Sequence, residues 1–209
     1  MSLVSRLRQV VQPNPNFIEV YDNALTDDEC NELRSYFESF PNLQRKGNFI
    51  RGTEVTVDTD AKSSVEIDNS RFSDGSRASS ILEPAINTCL GKYQKKYPSL
   101  DHIYYWSYDD EYNYQRFDKP GDGYKQWHTE HGRGNPLRIL AWIFYLNDAG
   151  AGTEFYHYKP NIKAKEGRCI IFPAHQTHVH KSEPNLGLKY IVTGFVSIDD
   201  RDCPFSFEE

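Results

Sequence analysis

The chain lacks any apolar run approaching the ~18 residues that a membrane-crossing helix requires. Residues 1–13 carry Arg6 and Arg8 but no apolar core of the kind a secretory signal needs. Cysteine is scarce: Cys30, Cys89, Cys169 and Cys203 are scattered and form no C-x-x-C pair. Four thiols so spread do not build a disulfide scaffold, and they read as reduced, buried side chains of a soluble cytoplasmic protein. Positive charge is also short, with 24 Lys and Arg against 30 Asp and Glu and a net charge of −6. That balance argues against a general affinity for nucleic acid or anionic membranes. No internal repeat divides the sequence.

A length of 209 residues suits one domain, taken as 1–209, and is enough to bury a sizeable core. Aromatics are abundant, with 14 Tyr, 12 Phe and 3 Trp, which favours strands. Residues 16–21 (NFIEVY) read as a short strand. Thr26-Asp27-Asp28-Glu29 then forms a capping box for a helix carrying Leu33, Tyr36, Phe37 and Phe40 at helical spacing, ended by Pro41. Residues 48–58 read as a strand broken at Gly52, and the polar stretch 58–75 as a surface loop. Ile81, Leu82, Ala85, Ile86, Cys89, Leu90 and Tyr93 mark a second helix with Pro84 in its first turn and Lys92, Lys95 and Lys96 near its C-terminus. Helical support thus occupies mainly 22–97, and a β core about 103–198. Within that core the expected strands are 103–108, 112–117, 124–128, 138–147, 153–158, 168–172, 177–181 and 188–198. Short strands separated by Gly, Pro and Asn turns predict a sandwich or jelly-roll barrel.

The chemistry-bearing residues lie between Gln126 and Phe195. His128 and Glu130, two apart at a strand end, share a face. A distal histidine follows among His175, His178 and His180, of which the last two also share a face, so strand alternation does not separate them. Two histidines and one carboxylate on one face of a metal are the ligand set of non-haem Fe(II) oxygenases, which leaves positions open for co-substrate and O₂. Lys189 stands beside the apolar run Tyr190-Ile191-Val192-Thr193-Gly194-Phe195-Val196. A cation there must be paired or reach water.

These residues, with Tyr145-Leu146-Asn147-Asp148, Gly150-Ala151-Gly152-Thr153-Glu154-Phe155 and Phe172-Pro173, resemble the Fe(II)/2-oxoglutarate dioxygenases of the prolyl 4-hydroxylase-like branch. The resemblance covers about 16–198 and is strongest after Tyr112. It implies a mainly β fold with flanking N-terminal helices, the double-stranded β-helix or cupin-like jelly roll. It assigns the metal to His128, Glu130 and His180, because Phe172-Pro173, His180, Pro184 and Lys189 fit the family register and His178 falls two residues early. His175 is then a loop histidine, and His131 a loop or supporting residue. Lys189 would pair with the distal carboxylate of 2-oxoglutarate, with Thr193 on the same strand face as a further donor. Tyr145 is expected against the co-substrate. Phe117 stands near where relatives carry another tyrosine, which makes Gln115 and Tyr124 candidate replacements. Glu130 departs from the usual aspartate by one methylene.

The activity implied is hydroxylation of a C–H bond with Fe(II), 2-oxoglutarate and O₂, releasing succinate and CO₂, with ascorbate keeping the iron reduced. The branch points to a prolyl residue of a peptide or protein as substrate, held by the segments 58–75 and 118–124. The alternatives are the same chemistry on another amino acid, a nucleic acid or a small molecule, and a cupin-like binding module without turnover. Oligomeric state is not legible in the sequence.

Overall fold

The computed structural model describes residues 15–51, 54–72, 76–103, 105–132, 134–159 and 161–199. Strand β1 (Glu19–Tyr21) leads into helix α1 (Asp27–Glu38). The predicted capping box is present: the Glu29 N–H donates to the Thr26 hydroxyl at 3.2 Å and the Thr26 N–H to the Glu29 carboxylate at 2.8 Å. Short strands β2 (Arg45–Lys46), β3 (Phe49–Arg51), β4 (Glu54–Thr56), β5 (Lys62–Ser63) and β6 (Val65–Asp68) precede helix α2 (Ser76–Lys96). The C-terminal half consists of β7 (Trp106–Phe117), β8 (Gly123–Tyr124), β9 (Arg138–Tyr145), β10 (Thr153–Phe155), β11 (Arg168–Pro173), β12 (His180–Ser182) and β13 (Lys189–Ile198).

A seven-stranded sheet runs β1-β11-β9-β13-β7-β6-β2, every described pairing in it antiparallel. Opposite it lie the pair β10–β12, extended by an antiparallel bridge between His128 and His180, and the pair β5–β8. This is the mainly β, jelly-roll architecture expected. Strand alternation divides the large sheet into two faces. On β9, Leu140, Trp142 and Phe144 join one core with Leu33 and Phe37 of α1 and Leu82 and Ile86 of α2. Ala141, Ile143 and Tyr145 point the other way, into a second cluster with Phe155, Phe172 and Ile191 between the sheets. The helices therefore back the sheet, and the inner face is left for the site. Gly194 is required here, since a Cβ would come 2.2 Å from the Trp142 indole.

Several expected boundaries are corrected. The strands expected at 103–108 and 112–117 are largely one, β7, because the long β13 pairs with it on both sides of an irregularity at Asp109-Asp110-Glu111, where the register shifts between Gly194 and Val196. The surface loop expected at 58–75 contains β5 and β6 instead. Its polar residues are satisfied internally: buried Glu66 pairs with Lys62 at 2.8 Å and accepts from Ser64 at 2.6 Å. Residues 73–75 of it, like Gly52, lie outside the described residues. Pro84 sits inside α2 rather than in its first turn, because the helix begins earlier and buries Ala78 and Leu82 before reaching it. Of the strand expected at 124–128, only Tyr124 belongs to a strand, and at 177–181 a 3-10 turn (Gln176–His178) precedes β12. Cys30, Cys89 and Cys169 are free and buried, whereas Cys203 lies outside the described residues. No described helix is long and apolar enough to cross a membrane.

Candidate metal centre

His128 reaches the inner face because its backbone is tied to β12: the His128 N–H donates to the His180 carbonyl, and the His180 N–H to that of His128, both at 3.0 Å. Glu130 is held by a bond from its N–H to the Ala174 carbonyl at 3.1 Å. These ties bring one side-chain donor atom from each of His128, Glu130 and His180 within 4.8 Å of one another. One Glu130 oxygen, Oε1, lies 3.4 Å from Nε2 of both histidines.

The ring tautomers are set by the backbone. His128 Nδ1 faces the Gln126 carbonyl at 2.9 Å and His180 Nδ1 faces the His178 carbonyl at 3.0 Å. A carbonyl only accepts, so both protons sit on Nδ1, and both Nε2 atoms turn lone pairs toward Glu130. Burial, then the neighbouring His180, pushes the His128 imidazole below its ordinary range. Two neutral imidazoles and a carboxylate converge with acceptor atoms facing one another. Such a donor set fits a divalent cation.

The remaining histidines are placed elsewhere. His178 lies in the 3-10 turn, so it does not share the face of His180. Its Nε2 donates to the Asn16 carbonyl at 2.6 Å and its Nδ1 accepts from the Thr177 hydroxyl at 2.9 Å, which leaves no lone pair for a metal. His131 and His175 form a separate pair with ring centroids 4.3 Å apart.

The trio borders a cavity of about 350 Å³ whose lining includes Lys189, Thr193, Tyr145, Gln115 and Tyr124. Lys189 enters it from β13 and is only 2% exposed. Among the described residues its ammonium makes no ion pair, and burial pushes its pKa down to about 8, with only the charge of Glu183 opposing. Thr193, four residues along β13, accepts from the Gln115 amide at 3.3 Å. The Tyr145 hydroxyl bonds that of Thr153 at 2.6 Å, and burial raises its pKa. Tyr124 stacks on His128 with ring centroids 3.7 Å apart. Gly123 lets β8 lie close to β12: at φ +153° a Cβ would come 2.8 Å from that of Ser182.

Family comparison agrees with this geometry. Residues 112–197 match the model of the 2OG-Fe(II) oxygenase superfamily. The matched segment takes in His128, Glu130, His180 and Lys189. No curated protein sequence matches the chain significantly. The chain shares its fold with a Trichoplax adhaerens prolyl hydroxylase solved with a peptide fragment of the hypoxia inducible factor oxygen degradation domain (15% identity, TM-score 0.69, 88% of this chain and 84% of that one). It is similarly related to a Pseudomonas putida prolyl-4-hydroxylase (13%, TM-score 0.65, 88% and 94%). A third relative in fold is a viral collagen prolyl hydroxylase from Paramecium Bursaria Chlorella virus-1, solved with 2-oxoglutarate (17%, TM-score 0.58, 88% and 96%). The fold that the prolyl 4-hydroxylase-like resemblance of the sequence implies is thereby supported. The superfamily whose model matches is one that uses Fe(II), 2-oxoglutarate and O₂.

Sequence reasoning missed Arg138, which opens β9 and lies 3.7 Å from the second Glu130 oxygen, Oε2. Its signal was a lone cation before the apolar ILAWIFY, the same signal that singled out Lys189. The buried pair Lys62–Glu66, also lining the cavity, was hidden in a stretch read as a loop.

Proposed function

We propose that this oxygenase hydroxylates a C–H bond of a prolyl residue in a peptide or protein. The observation that carries the reading is the pairing of two features in one cavity: the convergent lone pairs of His128, Glu130 and His180, and a buried cation, Lys189, without a carboxylate partner among the described residues. His128, Glu130 and His180 would hold Fe(II). The bound metal supplies the redox chemistry by which 2-oxoglutarate and O₂ become succinate and CO₂, with the second oxygen atom entering the substrate as hydroxyl.

The chain's own contribution is orientation and charge. Lys189 neutralises the distal carboxylate of 2-oxoglutarate, a charge-assisted contact worth ~1.5–3 kcal/mol. Thr193 and Tyr145 offer hydroxyl groups from the same cavity wall, and Gln115 and Tyr124 supply polar atoms that Phe117 cannot. Ile143 and Ile191 line the wall between them and exclude water. The Nδ1–H bonds to Gln126 and His178 fix both imidazoles.

The peptide substrate is supported by the fold relatives and by the lining. Lys62, Glu66 and Asp68 from the segment 58–75, and Tyr124 from 118–124, reach the same cavity. Incubation with proline-containing peptides, Fe(II), ascorbate and 2-oxoglutarate should yield succinate and a peptide heavier by one oxygen on proline. Succinate formation that no prolyl peptide stimulates would retain the oxygenase and overturn the prolyl substrate. No succinate under any condition would favour a binding module.

A further inference from the structure

Glu130 presents its two oxygens to different partners. Oε1 faces both imidazoles at 3.4 Å, whereas Oε2 lies 3.7 Å from Nη1 of Arg138. Arg138 is itself fixed on two sides. Its guanidinium carbon stacks 3.4 Å above the Phe195 ring, and Asn135, with its amide oxygen turned toward it, accepts from Nη1 at 3.2 Å while donating to the Gly134 carbonyl. A planar guanidinium held this way is fixed in orientation. Burial lowers the Arg138 pKa, and the charge of Glu130, followed by those of Asp109 and Glu111, opposes that.

We propose that Arg138 is a positioning residue that keeps Glu130 a single-oxygen ligand. Glutamate has one more rotatable bond than aspartate, so its carboxylate can turn to offer both oxygens to one cation. A carboxylate bound through both would occupy a position that the keto acid or O₂ needs. Arg138 prevents this by holding Oε2 away from the histidines. The inference rests on the proposed metal centre and concerns the metal-loaded protein alone.

Co(II) serves as a spectroscopic probe in the full chain, read out by its visible absorption and by calorimetric titration with 2-oxoglutarate. Arg138→Met should keep Co(II) binding, alter the Co(II) absorption before any co-substrate is added, and weaken 2-oxoglutarate binding about tenfold or more. Arg138→Lys, which restores a charge without the planar fork, should recover part of both. In a Glu130→Asp background, Arg138→Met should have little further effect, because the shorter side chain does not place a second oxygen beside the guanidinium. A Co(II) spectrum and 2-oxoglutarate affinity unchanged by Arg138→Met would overturn the proposal. So would an equal loss in the Glu130→Asp background, which would mean that Arg138 touches the co-substrate directly. Wild-type protein that binds no Co(II) would instead overturn the metal reading, and this inference with it.

Discussion

The Lys189 ammonium lies 4.6 Å from the centroid of the Phe117 ring, its direct cross-strand partner between β13 and β7. The ring supplies a weak cation–π contact but no hydrogen bond, so the ammonium keeps its donors for a ligand. Lys189→Ala should therefore raise the dissociation constant for 2-oxoglutarate roughly tenfold or more, the cost of losing a charge-assisted contact of ~1.5–3 kcal/mol. Co(II) affinity without co-substrate should change far less. Calorimetry measures both, and equal loss of the two would contradict the assignment.

The same residue predicts a pH dependence. Burial lowers the Lys189 pKa to about 8 in the ligand-free protein. As pH rises through that value, the ammonium loses its proton and with it the attraction for a dianion. Affinity for 2-oxoglutarate should fall on the alkaline side of pH about 8 and hold below it, within the range where the ligand stays ionised. Lys189→Arg keeps its charge throughout and should flatten the alkaline limb. A wild-type affinity that is constant across that pH would sink this account.

The histidines separate by what their nitrogens already bond. Loaded anaerobically with Fe(II) and 2-oxoglutarate, the wild type should show the weak visible charge-transfer band of the chelate. His128→Ala and His180→Ala should each abolish it, and His175→Ala and His178→Ala should not. Loss of the two His178 hydrogen bonds should instead lower stability by ~1–3 kcal/mol, measured by denaturant titration. A band lost in His178→Ala and kept in His180→Ala would reverse the assignment.

Gly194 sits beneath the Trp142 indole, where a methyl group has no room. Gly194→Ala should destabilise the fold by ~1–3 kcal/mol through overpacking, seen as a lower Tm. An unchanged Tm would mean that the indole moves freely.

The site was legible in the sequence where chemistry is unusual for its surroundings. A cation against an apolar run drew attention to Lys189, and the spacing of His128 and Glu130 to a shared face. Parity failed between His178 and His180, because it assumes a continuous strand and the chain makes a 3-10 turn there. β6 escaped notice because its Glu66 looks like a solvent residue. Only the fold reveals that Lys62, Ser64 and Asn113 satisfy it in the interior. The two-face division of β9 was hidden for the opposite reason: both faces are apolar, so RILAWIFY shows no alternation.

The reciprocal main-chain bonds between His128 and His180 join the two histidine-bearing segments independently of their side chains. A small metallo-domain whose ligands converge only around the ion draws on metal binding to fold and unravels under a chelator. Here the backbone already supplies the convergence, so the metal has little structure left to organise. Removal by EDTA should shift the melting temperature only as far as ligand linkage requires and leave the far-UV dichroism intact. Emptying and refilling the centre would then be reversible, and exchange of one divalent ion for another would proceed on the folded protein.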